Sequence, residues 1–306
     1  MGSWQAKFFG VCVRLFLRRR RWGRDEWAVA RRARRIFGAP KLVQWLTTLG
    51  LEVQPVNERG VRGEWLRKKR HSANAKDGII FYIHGGGFVS CSVATHRPMT
   101  AALARRTGFP VFALDYRLAP EHRFPAALDD VQAGYQWLLE QGFVADKIAV
   151  AGDSAGGGLL MSLLLRLRDA ALALPACAVC FSAWTDLTGS GESNRFNATR
   201  DAMFYPENVS EFAAAYLGGQ SSANPDASSV FGNFRGLPPL LFQAGSTEIL
   251  LDDSRRIHQK IQEIGGASDL EIYDDLFHGG QMMHRFIPEA ETALKKAIDF
   301  IKRHTV

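Results

Sequence analysis

Cysteine is scarce in this chain, and its placement excludes a disulfide framework. Only four occur in 306 residues, Cys12, Cys91, Cys177 and Cys180, without the spacing of a stapled secreted domain. Cys177 and Cys180 form a C-x-x-C, but residues 176–181 read as a strand. Positions three apart on a strand point to opposite faces, so burial is expected there and a shared metal or redox role is not. A reducing, cytoplasmic setting is the matching expectation. No stretch reaches the ~18 apolar residues of a membrane-spanning helix. There is no G-x-x-x-x-G-K-[ST], and no G-x-G-x-x-G after a first strand, so nucleotide binding is not expected. Internal repeats are absent.

Acidic residues are nearly missing from the first 41 positions. Those positions hold twelve Lys/Arg against Asp25 and Glu26, a charge of +10, while the whole chain carries +7. The remaining 265 residues therefore sum to −3. The basicity belongs to an N-terminal arm rather than to the body. No recognised nucleic-acid module with a basic face accompanies it, so no nucleic-acid partner is expected. The arm also carries Phe8, Phe9, Val11, Cys12, Leu15, Phe16 and Leu17, which at helical spacing make one apolar and one cationic face. Arg14 interrupts the apolar run and most of the charge follows it, unlike a signal peptide. Two readings stay open: a lid helix over a site, or a peripheral membrane anchor on anionic lipid. The lid is preferred, because a second amphipathic helical stretch at 27–49 leads straight into the domain.

Beyond the arm, strand and helix alternate. Strands are expected at 51–56, 61–68, 78–84, 110–115, 147–151, around 176, at 239–244 and at 269–273. Helices are expected at 96–107, 126–140, 157–168, 254–264 and from about 289. This rhythm predicts an α/β fold with a mostly parallel sheet covered on both faces. Residues 185–235, rich in Gly, Ser and Asn with helical content at 206–217, break it and read as an insertion. The expected division is cap helices at 1–48, core at 49–184, a cap insertion at 185–235 and core again at 236–306. A hydrophobic content of 46% suits one large domain with a small lid.

The most informative stretch is Gly-Asp-Ser-Ala-Gly at 152–156. It fits G-x-S-x-G, a strained strand-to-helix turn that lifts a nucleophilic serine out of a sheet. Ser154 would sit at the positive end of a helix. A serine hydroxyl needs an imidazole to take its proton and a carboxylate to orient that imidazole. Along such a chain the order is Ser, acid, His, with both partners on loops after later strands. Of the histidines after Ser154, His258 falls in a helix and His304 in the terminal tail. His278 lies in a loop between the last strand and the last helix and is the expected base, with His284 second. Glu248 follows the penultimate strand and is the expected acid. Asp252 and Asp253 read as helix-start residues, and Asp274 and Asp275 as a solvated loop. Ahead of these, the strand ending at His84 runs into Gly85-Gly86-Gly87, a loop whose N–H groups can point at a small anion. With the N–H of Ala155, the residues Gly86 and Gly87 supply an expected oxyanion hole.

Taken together, His84-Gly85-Gly86-Gly87, Asp115-Tyr116-Arg117-Leu118-Ala119-Pro120-Glu121 and Gly152-Asp153-Ser154-Ala155-Gly156-Gly157 resemble the hormone-sensitive-lipase-like esterases, also called bacterial family IV. The resemblance runs from about Leu51 to the end. It implies an α/β-hydrolase core with an eight-stranded sheet, a lid from the N-terminal helices and the insertion, and no metal or organic cofactor. It also implies Ser154 as nucleophile, His278 as base and the glycine loop as oxyanion hole. Many members carry aspartate where Glu248 stands. Asp115, Arg117 and Glu121 are expected to form a buried structural network. The implied activity is serine carboxylesterase action on small-molecule esters with short to medium acyl groups. Alternatives are an interfacial lipase, amide hydrolysis, and a non-catalytic receptor on the same fold. Pairing as a homodimer through an edge strand or the last helix is a further family expectation.

Overall fold

Proline decides how the basic arm folds. The computed structural model describes residues 2–69 and 78–305, and the arm forms α1 (Trp4–Phe16), α2 (Glu26–Ile36) and α3 (Lys41–Thr48). The stretch expected as one helix at 27–49 is therefore two. Pro40 lacks an N–H and pushes its predecessor away from helical geometry, so α2 ends at Ile36 and α3 restarts just after Pro40. Ser3 and Asp25 cap the starts of α1 and α2 by accepting the N–H groups of Ala6 and Ala28, as small oxygen-bearing residues do.

The core follows as β1 (Leu51–Glu58), β2 (Val61–Lys68), β3 (Ile79–Ile83), α4 (Val93–Thr107), β4 (Val111–Leu114), α5 (Ala126–Glu140), β5 (Ile148–Asp153), α6 (Ala155–Asp169) and β6 (Cys177–Phe181). The insertion contributes α7 (Glu192–Phe196) and α8 (Pro206–Leu217). The chain then closes with β7 (Leu240–Gly245), α9 (Leu251–Glu263), β8 (Ser268–Tyr273) and α10 (Pro288–Thr305). His304 thus lies within α10 rather than in a tail.

One sheet of eight strands runs in the order β1-β2-β4-β3-β5-β6-β7-β8. β2 is antiparallel to both of its neighbours, and the pairs from β4 to β8 are parallel. Parallel strands buried on both faces read as continuous apolar runs, as β3 (Ile-Ile-Phe-Tyr-Ile) and β6 (Cys-Ala-Val-Cys-Phe) do. Their side chains divide between two cores. Phe81 and Ile83 join the core that holds α5, α6 and α9, while Ile80 and Tyr82 join the one beneath α4 and α10. Cys180 belongs to the first and Cys177 to the second, the two-face split expected from strand period.

The arm packs on the insertion above the C-terminal edge of the parallel strands. Trp22, fully buried, stacks on Phe37 with ring centroids 5.5 Å apart and meets Phe212 of α8 edge-on at 5.3 Å. Its backbone N–H donates to the Glu211 carboxylate, and Arg14 donates to the carbonyl of Thr199. Arg34 of α2 reaches the core: its Nε donates to Val89 O at 2.8 Å and its Nη2 to Ala119 O at 3.1 Å, while Glu121 takes both terminal nitrogens. Among the described residues no helix is long and apolar enough to cross a membrane.

Candidate active site

The turn between β5 and α6 puts Ser154 where few residues go. Its φ of 50° and ψ of −122° lie outside the comfortable regions for an L-residue, a strain found at functional turns. Its N–H donates to Phe181 O, and its carbonyl accepts from Gly158 and Trp184. Gly156 permits the turn: a Cβ there would strike the carbonyls of Ile83 and His84. Ala155 opens α6, so its N–H has no partner within the helix.

The hydroxyl of Ser154 lies 2.8 Å from Nε2 of His278, and Nδ1 of that ring lies 2.8 Å from Oε2 of Glu248. Glu248 is an acceptor, so Nδ1 carries the proton and donates to it, and Nε2 accepts from the serine hydroxyl. Glu248 is fully buried and His278 is 4% exposed. The other carboxylate oxygen of Glu248 accepts from Ser182 Oγ at 2.7 Å and from the N–H of Gly245 at 2.5 Å. Burial opposes charge on His278. The hydrogen bond and charge of Glu248, with the more distant Asp201 and Asp153, outweigh it and hold the imidazole above its usual range.

The loop after β3 faces the serine. Gly86 and Gly87 line the same pocket as Ser154 and His278, and among the described residues neither N–H has a hydrogen-bond acceptor. Both have positive φ, 114° and 62°, a region that favours glycine. The loop is fixed from below by Asp153. Its carboxylate accepts from Gly85 N–H at 3.0 Å, from the Tyr82 hydroxyl at 2.8 Å and from His96 Nε2 at 3.2 Å. Burial works against that charge, but His96 and Tyr82 overcome it and keep the Asp153 carboxyl below the usual carboxylate range. His84 is a different case: burial pushes its imidazole down to about 3. It stacks on Tyr116 at 4.2 Å as a neutral packing group.

The pocket measures about 330 Å³. Its walls come from α1 and its C-terminal end (Val13, Leu17), the residues before α3 (Phe37, Gly38), the insertion (Met203, Phe204, Val209, Phe212), and Trp184 and Met282. Phe204 meets the His278 ring edge-on at 5.3 Å. Of the other aromatics near the insertion, Phe88 is buried in a stack with Tyr216 at 3.9 Å, and Tyr205 lies under the Arg18 guanidinium at 3.9 Å.

Several candidates prove to have other duties. Asp252 accepts from Ser193 N–H at 2.7 Å, and Asp253 accepts from the N–H groups of Thr185 and Asp186, so both brace the insertion. His284, second as candidate base, is buried and lies 3.7 Å from Glu291. Asp275 accepts the N–H of Gly2. The Asp115–Glu121 motif is not one buried network: Arg117 pairs with Asp130 at 2.7 Å, and exposed Glu121 pairs with Arg34 of α2. Three contributors had no sequence signal. Asp201, buried in the insertion, accepts from Met203 and Phe204 N–H with one oxygen and from Ile249 N–H with the other. Asn197 donates to the carbonyls of Ser246 and Glu248, and Ser182 anchors the Glu248 carboxylate. Only the tertiary fold reveals these tethers.

Comparison with known proteins agrees with this architecture. A family model described as the alpha/beta hydrolase fold matches residues 80–282. The chain is 38% identical over 242 residues to an acetyl-hydrolase of Streptomyces hygroscopicus, covering 79% of this chain and 80% of that one. An esterase of the bacterial hormone-sensitive lipase family superposes with a TM-score of 0.89 at 35% identity, covering 100% of each chain. EstE5, in a crystal soaked with p-nitrophenyl butyrate, superposes at 0.88 with 35% identity and 99% of each chain covered. The chain belongs to the hormone-sensitive-lipase-like esterases of the α/β-hydrolase superfamily.

Proposed function

We propose that this protein is a serine carboxylesterase that hydrolyses short- to medium-chain acyl esters through an acyl-enzyme. Ser154 is the nucleophile, His278 the base and Glu248 the acid, with Gly86, Gly87 and Ala155 as oxyanion donors. The observation that carries the reading is the unbroken pair of 2.8 Å contacts from Ser154 through His278 to Glu248. Residues 1–48 and 185–235 act as the cap over a core made of 49–184 and 236–306.

In this reading each step has an agent. Ser154 Oγ attacks the ester carbonyl as Nε2 of His278 takes its proton, and Glu248 steadies the imidazolium so formed. Negative charge on the carbonyl oxygen is met by the unpartnered N–H groups of Gly86 and Gly87 and by that of Ala155 at the start of α6. His278 then protonates the departing alcohol. Water, deprotonated by the same nitrogen, releases the acid and restores the serine. The modest cavity, at the low end of the ~300–1,000 Å³ typical of small-ligand sites, supports short to medium acyl groups. The p-nitrophenyl butyrate soaked into EstE5 supports the same substrate class.

A fluorophosphonate probe tests the reading. Labelling at Ser154 with hydrolysis of nitrophenyl acetate, butyrate and hexanoate is expected. An unlabelled protein without turnover would make it a binding module, and peak activity on emulsified long-chain triglycerides would make it a lipase.

A further inference from the structure

Eleven of the seventeen large hydrophobic side chains that stand exposed among the described residues fall within the first 49 positions. They form faces. On α1, Trp4, Phe8, Val11 and Leu15 recur at intervals of four, three and four, one stripe of a helix. Trp4 is 72% exposed and Leu15 75%. The opposite side of α1 is already satisfied: Ala6, Phe9 and Val13 pack with Leu276, Phe277 and Ala290. On α3 and at its C-terminal end, Leu42, Trp45, Leu46 and Leu49 stand out in the same way, Trp45 at 60%. Clustered exposure of this kind marks an interaction surface rather than scattered surface apolars. The arm borders the pocket, since Val13 and Leu17 line it from α1 and its end, and Phe37 and Gly38 line it from the segment between α2 and α3.

The charges around these faces say what covers them. The ion pairs of the arm are Lys7–Asp275, Arg34–Glu121 and Glu26–Arg123. Arg14, Arg19, Arg20, Arg21 and Lys41 are exposed, and among the described residues none of them pairs with a carboxylate. Arginines beside exposed tryptophan and leucine on short amphipathic helices match the physical demands of a lipid headgroup boundary. A second copy of the chain fits poorly, because a two-fold contact uses the same patch on both partners. It would set one +10 arm against another.

We propose that the outer faces of α1 and α3 dock on an anionic lipid surface, with the unpaired arginines of the arm on the headgroups and the pocket mouth held at the boundary. Docking does not depend on the ester chemistry, and hydrolysis of a soluble ester is read on the same samples to keep the two apart.

The test is sedimentation of the full chain with vesicles of equal parts phosphatidylglycerol and phosphatidylcholine, and with vesicles of phosphatidylcholine alone. Binding to the anionic vesicles is expected, with release at about 1 M salt, where the screening length falls to about 3 Å. Trp4→Ser/Leu15→Ser and Trp45→Ser should each weaken partitioning about tenfold or more. Arg19→Gln/Arg21→Gln should weaken it by roughly 10-fold or more. All three should keep wild-type turnover of soluble nitrophenyl acetate, which also reports that they fold. Equal binding to both vesicle types, no binding to either, or partitioning unchanged in these variants would overturn the proposal. So would a dimer in lipid-free light scattering that Leu15→Ser or Trp45→Ser dissolves, since a second copy would then be the occupant.

Discussion

The carboxylate of Asp153 accepts the N–H of Gly85 at 3.0 Å, so the residue before the candidate nucleophile holds the start of the candidate oxyanion loop. Removing that carboxylate by Asp153→Ala strands the Gly85 N–H, the Tyr82 hydroxyl and the His96 ring in a dry interior. Breaking such a buried pair costs about 3–5 kcal/mol. A thermal melt should fall by several degrees or more, and a variant that melts like the parent would show that the network is not structural.

Ser154→Ala should lose roughly 10⁴–10⁶ in kcat with little change in fold. Steady-state hydrolysis of nitrophenyl butyrate measures it. A variant with a tenth of parental turnover would remove Ser154 from the mechanism.

The acid is decided by contrast. Glu248→Gln should be nearly as inactive as the serine variant, about 10⁴-fold down, because Glu248 alone among the nearby carboxylates touches His278. Asp252→Asn should keep most activity, since that carboxylate is spent on Ser193 N–H. The reverse pattern, read as kcat of the two purified variants, would move the role.

Gly87→Ala tests the loop. A Cβ there would run into the Phe212 ring, and the residue's φ is 62°. Displacing one donor should cost on the order of 10²–10³ in kcat with a smaller change in KM. An alanine variant with parental kcat would exclude Gly87 from the oxyanion hole.

The pH profile follows from His278. Its folded value lies above the usual 6.5, and only the neutral ring accepts a proton. The acid limb of kcat/KM should therefore fall above pH 6.5, activity rising as pH passes through it. The sign for stability is opposite: the charged ring steadies the fold fully below about 6.5, and that contribution fades as pH climbs through the folded value. Asp201→Asn, which removes one of the charges raising it, should move the limb down. A limb below 6.5 in the parent would contradict the assignment.

How much of this was legible in the sequence depended on the kind of signal. The strand-helix rhythm was readable because buried parallel strands are continuous apolar runs, and β2 and α5 match their expected bounds residue for residue. Ser154, Glu248 and His278, which the fold brings into contact, could be picked out as candidates because such residues are expected at strand ends, a rule about order rather than contact. The 27–49 stretch was misjudged by weighing amphipathic period above Pro40. Asp201 and Asn197 stayed hidden because the insertion has no period and their tethers to the acid loop reach Ile249 and Glu248 some 50 positions away, and Ser182 because its partner, the Glu248 carboxylate, is 66 positions on. Glu121 was placed inward by family resemblance, yet its partner is Arg34 of the cap.

That guanidinium has a thermal consequence. Arg34 clasps Val89 O and Ala119 O together, so the turn carrying the candidate amide donors is fastened to a surface helix rather than to the sheet alone. Warming that frays α2 should slacken those candidate donors while the strands stay paired, and turnover should fade at a lower temperature than the far-ultraviolet signal of the sheet.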